Sequence, residues 1–238
     1  MTSATSYNNL AVYGGVEYFR VTNNTFYNGG HSPLAMSPAR HGVVSNNVLK
    51  WRIGGSQDTD EGGIEVEFKP THKGAGASHD IVVNGNNIEG YASGIMIRST
   101  NDTLRPYSVV VSDNIIKDST RYDIYLDADR DINISGNVMT SAVAHTSSIA
   151  INSGVRVSIS NNTIFCSSDT LLSGSTINVD QSGVGAVISS VDITNNLVTG
   201  VNSARTGINA RTYSGVISGN TVTGAGTLVS STGIGVFN

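Results

Sequence analysis

An asparagine recurs along this chain with apolar residues at fixed offsets on either side of it. Three positions before each asparagine stands a valine or isoleucine, and two positions after it stands another apolar residue. The spacings are 23, 39, 28, 23, 25, 34 and 24 residues, and the asparagines are Asn24, Asn47, Asn86, Asn114, Asn137, Asn162, Asn196 and Asn220. A repeat of this length, interrupted by insertions, predicts a solenoid of stacked coils.

A third apolar segment follows each asparagine, as in GIEVEF from Gly63, GIMIRS from Gly94 and DIYLDA from Asp123. Apolar and polar residues alternate within these segments, which is typical of a strand with one buried face. Each coil is therefore predicted to contain three short strands. About eight coils then make an all-β, single-stranded parallel β-helix.

The recurring asparagine is predicted to lie at the corner between two strands of a coil. Asparagine tolerates the left-handed or bridge backbone conformations that a sharp corner requires, and β-branched residues do not. Because neighbouring coils are about 4.8 Å apart, stacked asparagine side chains can hydrogen-bond to one another and to the local backbone. The sequence therefore predicts a ladder of asparagines with buried residues on both sides.

Composition restricts the classes of partner. Charged residues make up 13% of the chain and the formal net charge is −4, which provides no broad basic surface for nucleic acid. The single cysteine, Cys166, excludes an internal disulfide and is predicted to be a buried apolar residue. The sequence contains neither an apolar run of about 18 residues nor a signal peptide after Met1, so membrane insertion is not expected.

The segment VVSDNIIKDSTRYDIYLD, residues 110–127, resembles the right-handed parallel β-helix family typified by pectate lyases and bacteriophage tailspikes. The resemblance extends over residues 10–238 and rests on corner and core positions, so it is specific for fold rather than activity. It implies a protein that acts on or binds polysaccharide, is extracellular or virion-associated, and is a homotrimer. Residues 1–238 are predicted to form one β-helix domain, a segment of a longer chain or one whose ends partner chains cover.

A site is expected where outward side chains of successive coils align. Alignment of the third strands on their central isoleucines predicts two outward columns. The first column contains Glu65, Met96, Tyr125, Ala150, Asn178 and Asn209, and the second contains Glu67, Arg98, Asp127, Asn152, Asp180 and Arg211. The longest insertion flanks the strand of Glu65 and Glu67, and such loops beside a rigid sheet form clefts.

Three carboxylates in these columns are candidates for general acid and base. The bases of Glu65 and Glu67 should lie about 6.6 Å apart, and those of Glu67 and Asp127 about 9.6 Å apart, compatible with the roughly 6.5 to 9.5 Å of inverting glycosidases. Clustered acidic residues would also raise the pKa of at least one carboxyl. Six further residues are predicted to bind substrate: Arg98, Tyr125, Trp51, Tyr91, Asp60 and Glu61.

Hydrolysis of an acidic or bacterial surface polysaccharide is thus the first hypothesis, and two alternatives remain open. In a lyase, Arg98 would neutralise a uronate and Tyr125 or Lys69 would act as base. In a non-catalytic receptor-binding or shaft module, the charged column would be a solvated set of cross-strand pairs. No cofactor or metal is predicted, because His72 and His79 share a loop without a third ligand and His41 is assigned to a turn.

Overall fold

The fold is taken from a computed structural model. It describes residues 9–27, 32–51, 62–69, 71, 76–99, 104–143, 145–167, 175–180, 188–201, 206–211, 214–232 and 235–236. Regular secondary structure in these ranges consists of strands, with no helix. The strands are β1 Leu10–Glu17, β2 Arg20–Thr22, β3 Thr25–Tyr27, β4 Leu34–Ser45, β5 Val48–Lys50, β6 Gly62–Phe68, β7 His79–Asn84, β8 Asn87–Glu89, β9 Ser93–Ser99, β10 Tyr107–Ser112, β11 Ile115–Lys117, β12 Tyr122–Ser135, β13 Val138–Ser141, β14 Ser147–Ser160, β15 Thr163–Cys166, β16 Ser175–Val179, β17 Ile188–Thr194, β18 Leu197–Thr199, β19 Thr206–Arg211, β20 Gly215–Ser218, β21 Thr221–Val222, β22 Thr227–Thr232 and β23 Gly235–Val236.

The strands pair in parallel between successive coils, as the repeat predicts. One sheet has eight strands, which pair in the order β21, β18, β15, β13, β11, β8, β5 and β3, and the other has fifteen. Equivalent residues of the repeat face one another, since Val111 pairs with Val83 on one side and with Ile134 on the other. The chain is therefore a right-handed parallel β-helix, and the predicted fold class is confirmed.

The strands of the coils form two sheets, although each coil was predicted to have three short strands. In β4, β12 and β14 the third strand of one coil continues without interruption into the first strand of the next. The corner between them is one residue with positive φ: His41 at 52°, Asp131 at 58° and Arg156 at 56°. A single left-handed residue turns the chain while hydrogen bonding continues on both sides of it, so both strands belong to one sheet.

The interior is filled by the residues that the repeat predicts. The valines and isoleucines three positions before each asparagine are all buried, from Val21 at 6% exposure to Ile134 at 0%. Two positions after each asparagine, seven of the eight residues are buried and Val222 is partly buried. Burial of these columns removes a continuous apolar surface from water and supplies the main stabilisation of the stack.

The asparagines form a buried ladder along one corner. Asn114 Nδ2 donates to Asn137 Oδ1 at 3.0 Å and to the Val83 carbonyl at 3.0 Å, and the same pattern continues from Asn24 to Asn220. The backbone prediction was wrong by one residue, because positive φ falls on the residue before each ladder asparagine, such as Asp113 at 56° and Gly136 at 67°. That residue makes the turn, and the ladder asparagine then points inward.

Cys166 is buried and unbridged, as predicted. Across the described residues, there is no helix that combines the length and the apolar character needed to span a membrane.

Candidate functional site

The first predicted column is formed by the third strands. Glu65 pairs with Met96, Met96 with Tyr125, and Tyr125 with Ala150, and the column continues through Asn178 to Asn209. The six aligned isoleucines, Ile64, Ile95, Ile124, Ile149, Ile177 and Ile208, are fully buried behind it. The alignment of these six positions in one column was therefore correctly predicted.

The second column is interrupted at Asp127. Glu67 pairs with Arg98 as predicted, but the register between β12 and β14 shifts after Leu126, so that Asp127 pairs with Ser153 instead of Asn152. The shift is a bulge in β14, which the alternation of residue types along a strand does not reveal.

The two glutamates at the centre of the candidate site are buried, with 1% exposure for Glu65 and 0% for Glu67. The sequence placed them on an open cleft, and this expectation of exposure was wrong. Arg98 Nη2 lies 3.1 Å from Glu65 Oε1, and Arg98 Nε lies 3.9 Å from Glu67 Oε2. Lys69 Nζ lies 3.1 Å from Glu67 Oε2, and the Gly62 amide donates to Glu65 Oε1 at 3.1 Å.

Asp127 also has a cation and a hydroxyl beside it. Arg105 Nη1 is 3.5 Å from Asp127 Oδ1, and the Ser153 hydroxyl donates to the same oxygen. We call Glu65, Glu67, Asp127, Lys69, Arg98 and Arg105 the ion-pair cluster. Among the described residues it contains three carboxylates and three cations. A buried carboxylate held in this way is neither a solvated surface group nor one open to a substrate.

The aromatic candidates divide into two groups. Tyr125 is half-buried on the outward face, where its hydroxyl accepts from Asn152 Nδ2 at 2.8 Å and its ring centroid lies 5.1 Å from that of Tyr122. The pKa of Tyr125 is raised, mainly by burial and to a smaller extent by the nearby Asp127 charge. Tyr91 is only 3% exposed and packs edge-on against Trp51 at 5.9 Å, and burial raises its pKa strongly.

Tyr91 is therefore a core residue, whereas the sequence placed it among the residues predicted to bind substrate. Trp51 packs against the same core. The remaining substrate-binding candidates, Asp60 and Glu61, lie outside the described residues.

Sequence reasoning missed a polar column inside the coils. Asp123, Ser148 and Thr176 directly precede aligned isoleucines, and all three are at most 1% exposed. The equivalent residue in the preceding coil is Gly94, and a Cβ added there would lie 2.5 Å from Ile116 Cγ2, so this position points inward. The sequence did contain a signal for this column, because the residue before the aligned isoleucine is glycine in other coils, such as Gly63 and Gly94, and polar in these three.

Burial raises the pKa of Asp123 to about 7, with the Asp118 charge raising it further and the Ser119 and Ser148 hydroxyls partly offsetting the effect. The pKa of the Cys166 thiol is raised to about 11, mainly by burial and to a smaller extent by the Asp123 charge. The His145 ring, whose Nε2 lies 3.1 Å from Ser148 Oγ, has its pKa lowered by burial. This interior column contains the carboxyl with a raised pKa, but it is closed to a polymer.

One group of metal-ligand side chains converges among the described residues. The ligand atoms of His41, His79 and Asp80 all lie within 4.8 Å of one another. From the sequence, His41 was assigned to a turn and no metal was predicted, because His72 and His79 were the only histidines placed together and lacked a third ligand.

The fold and its outward polar columns define a repeat protein of the parallel β-helix class. The family model NosD, described as periplasmic copper-binding protein, matches residues 51–170 of the 238, and the chain belongs to this family. None of the curated proteins matches the chain in sequence.

Two solved structures of PfbA, a surface adhesin of Streptococcus pneumoniae, are similar to the chain. The first has 12% identity and a TM-score of 0.63 and covers 96% of this chain and 66% of the PfbA chain. The second has 12% identity and a TM-score of 0.56, and the match covers 96% of this chain and 61% of the PfbA chain. Similarity at this identity shows the fold alone, and the chain spans about two thirds of the length of these structures.

Proposed function

We propose that this chain is a non-catalytic, polysaccharide-binding module of a cell-surface or periplasmic protein. The observation that carries the proposal is the ion-pair cluster. A general acid or base must exchange a proton with the substrate, and Glu65 and Glu67 are buried against Arg98 and Lys69. Catalysis by hydrolysis would require these pairs to break first, and a lyase would require Arg98 to leave Glu65.

A row of side chains suited to sugars lies on the same outward face. We call Tyr122, Tyr125, Asn152, Asn178 and Asn209 the tyrosine–asparagine row. All five are half-buried, and they lie on the four neighbouring strands β12, β14, β16 and β19. At about 4.8 Å per strand the row extends over roughly 14 Å. Its phenol and amide groups both donate and accept hydrogen bonds, and its rings offer apolar faces to a sugar.

The side chains of the row are held in place before any ligand binds. Asn152 donates to the Tyr125 hydroxyl at 2.8 Å, and Asn209 donates to Asn178 Oδ1 at 2.8 Å. Because rigid side chains lose little entropy on binding, such preorganisation favours affinity. The side chains of the row are uncharged, so we propose recognition through hydroxyl groups more than through ligand carboxylates.

The relatives support a location outside the cytoplasm. The family model is described as periplasmic, and the PfbA structures are of a surface adhesin. The homotrimer and the phage virion implied by the tailspike resemblance do not enter this proposal.

The test measures binding and cleavage in the same samples. The protein is applied to a panel of immobilised bacterial surface polysaccharides, and bound samples are assayed for reducing ends and for absorbance of an unsaturated uronate. We expect binding without either product. Reducing ends alone would overturn the proposal in favour of hydrolysis with Glu65, Glu67 and Asp127 as acid and base. Reducing ends with absorbance would indicate elimination, and failure to bind any polysaccharide would also overturn the proposal.

Matched variants locate the binding surface. Tyr125→Ala should weaken binding at least about tenfold, because it removes the ring face and the partner of Asn152. Tyr27→Ala is the control, since Tyr27 is a 60% exposed tyrosine on the eight-stranded sheet, away from the row. Equal loss of affinity in both variants would exclude the tyrosine–asparagine row as the binding site.

A further inference from the structure

We propose that His41, His79 and Asp80 bind a late first-row divalent metal ion, Cu(II) most tightly, at a corner of the solenoid. His79 Nδ1 lies 2.9 Å from Asp80 Oδ2, and His41 Nδ1 lies 3.3 Å from the same oxygen. The site is separate from the tyrosine–asparagine row, so the inference does not rest on the proposed polysaccharide binding.

The ligand atoms have the separations that coordination requires. Metal to nitrogen or oxygen distances of about 2.0 to 2.1 Å place two ligands about 2.9 Å apart at 90° and about 3.3 Å apart at a tetrahedral angle. The two contacts to Asp80 Oδ2 already match these values. All three atoms lie within 4.8 Å of one another, so adjustment of the exposed His41 ring brings the two nitrogens into range.

The repeat itself brings these residues together. Arg40 pairs with His79 and Gly42 pairs with Ile81, so His41 and Asp80 occupy equivalent positions on neighbouring coils. Both have the left-handed backbone of the corner, with φ of 52° and 53°. They are 39 residues apart in sequence, because this coil contains the longest insertion, but they are neighbours in space. The corner therefore fixes the backbone of two of the three ligands.

Aromatic rings hold the two imidazoles from opposite sides. Tyr18 stacks on His41 with centroids 5.0 Å apart, and Tyr107 stacks on His79 at 4.7 Å. The stacked faces leave the ring edges, which carry the nitrogens, turned toward Asp80. The side chains of His41 and Asp80 are 39% and 45% exposed, so water can complete the coordination of an ion.

The donor set selects the class of ion. Imidazole nitrogens suit zinc, copper and nickel, whereas magnesium and calcium require oxygen ligands. Two imidazoles with one carboxylate therefore favour Zn(II), Ni(II) and Cu(II), and the general order of stability places Cu(II) first.

The experiment is a titration of the full chain, freed of metal with a chelator, by isothermal titration calorimetry with CuCl2, NiCl2, ZnCl2 and MgCl2. We expect one equivalent to bind, with affinity in the order Cu(II) above Ni(II) and Zn(II), and no binding of Mg(II). Electron paramagnetic resonance of the Cu(II) form should show coupling to two imidazole nitrogens. Absence of stoichiometric Cu(II) binding would overturn the proposal.

The variants keep the fold while removing ligands. His41→Asn suits the positive φ of its position, and His79→Phe keeps a ring against Tyr107. Each should weaken Cu(II) binding at least about tenfold. Mutation of a residue that only hydrogen-bonds to a metal ligand already reduces metal affinity by about this factor, and loss of the ligand itself should reduce it at least as much. Asp131→Asn is the control, because Asp131 occupies an equivalent corner position and pairs with Arg156 at 2.6 Å.

The chain has five histidines, so binding elsewhere is the competing outcome. If the His41→Asn/His79→Phe double variant binds Cu(II) as tightly as the unmodified protein, another set of residues holds the ion and the proposal is wrong. Circular dichroism and melting of the metal-free variants will show whether the fold is retained. A variant that fails to fold is replaced by Asp80→Asn, which removes the carboxylate and retains a residue that tolerates the corner.

Discussion

Asn114 Nδ2 donates to Asn137 Oδ1 at 3.0 Å, although 23 residues separate the two asparagines in the chain. Asn114 Oδ1 in turn accepts from the backbone and side-chain nitrogens of Asn86, both at 2.9 Å. The Asn114 side chain therefore bonds to groups of both neighbouring coils. Because these groups are buried, an unmade hydrogen bond would carry its full desolvation penalty.

Asn114→Ala should lower the free energy of unfolding by about 3 to 4 kcal/mol, because it leaves buried donors of Asn86 and the Val83 carbonyl without partners. Asn24→Ala is the control at the exposed end of the ladder, where the side chain bonds to Thr22 and Asn47 among the described residues. It should have an effect of about 1 kcal/mol. Urea unfolding measures both, and equal effects would contradict the ladder.

Glu67→Gln should destabilise the protein by about 2 kcal/mol, because Arg98 and Lys69 lose a buried counter-charge. The loss is smaller than for a fully buried pair, because Lys69 and Arg98 are partly exposed, at 26% and 16%. Glu89→Gln, in the exposed pair with Lys50, should have little effect on melting. A catalytic Glu67 predicts the reverse, with unchanged stability and lost turnover, so unaltered melting of Glu67→Gln would revive that hypothesis.

Asp123→Asn should reduce the dependence of stability on pH. Burial raises the pKa of Asp123 from 3.8 to about 7 in the folded protein, so between these values the folded state retains a proton that the unfolded chain has released. This contribution to stability is complete below about pH 4 and is lost as the pH rises through about 7.

Between pH 5 and 8 the unmodified protein should therefore lose about 3 kcal/mol more than the Asp123→Asn variant. His145 has its pKa lowered by burial and acts in the opposite direction, losing stability as the pH falls below 6.5, but it is present in both proteins and cancels. Parallel pH profiles of urea unfolding for the two proteins would refute the assignment.

Ile134→Asn should destabilise far more than Asp180→Asn. Ile134 is fully buried in the stacked core. An amide side chain there would lack a hydrogen-bond partner, so the substitution should lower the free energy of unfolding by about 3 to 5 kcal/mol. Asp180 has a side-chain exposure of 32% and lies 3.5 Å from Arg211, which is 63% exposed, so its replacement should change stability by less than about 1 kcal/mol. Similar melting temperatures for the two variants would disprove the inward and outward assignment.

The sequence by itself determined the coil, the ladder and the inward columns of this protein. A strand alternates its faces every two residues, and stacked coils repeat the same environment at the same position. The offsets around Asn114 and the alignment of Ile64 with Ile95 could therefore be predicted, and the structure has both. The positive φ one residue before the ladder was missed, because the ladder asparagine tolerates the same backbone conformation as the asparagine, aspartate or glycine that precedes it.

Only the tertiary structure decided which outward residues are exposed and which distant residues meet. Glu65 and Glu67 lie in the predicted columns, but both are buried and form ion pairs with Arg98 and Lys69. Burial depends on what packs over a strand rather than on its pattern. The bulge at Asn152 moves Asp127 out of register. His41 meets Asp80 because the two corners stack whatever the length of the insertion between them. Local periodicity fixes a residue's direction, whereas its neighbours are fixed by register and by the packing of non-local segments.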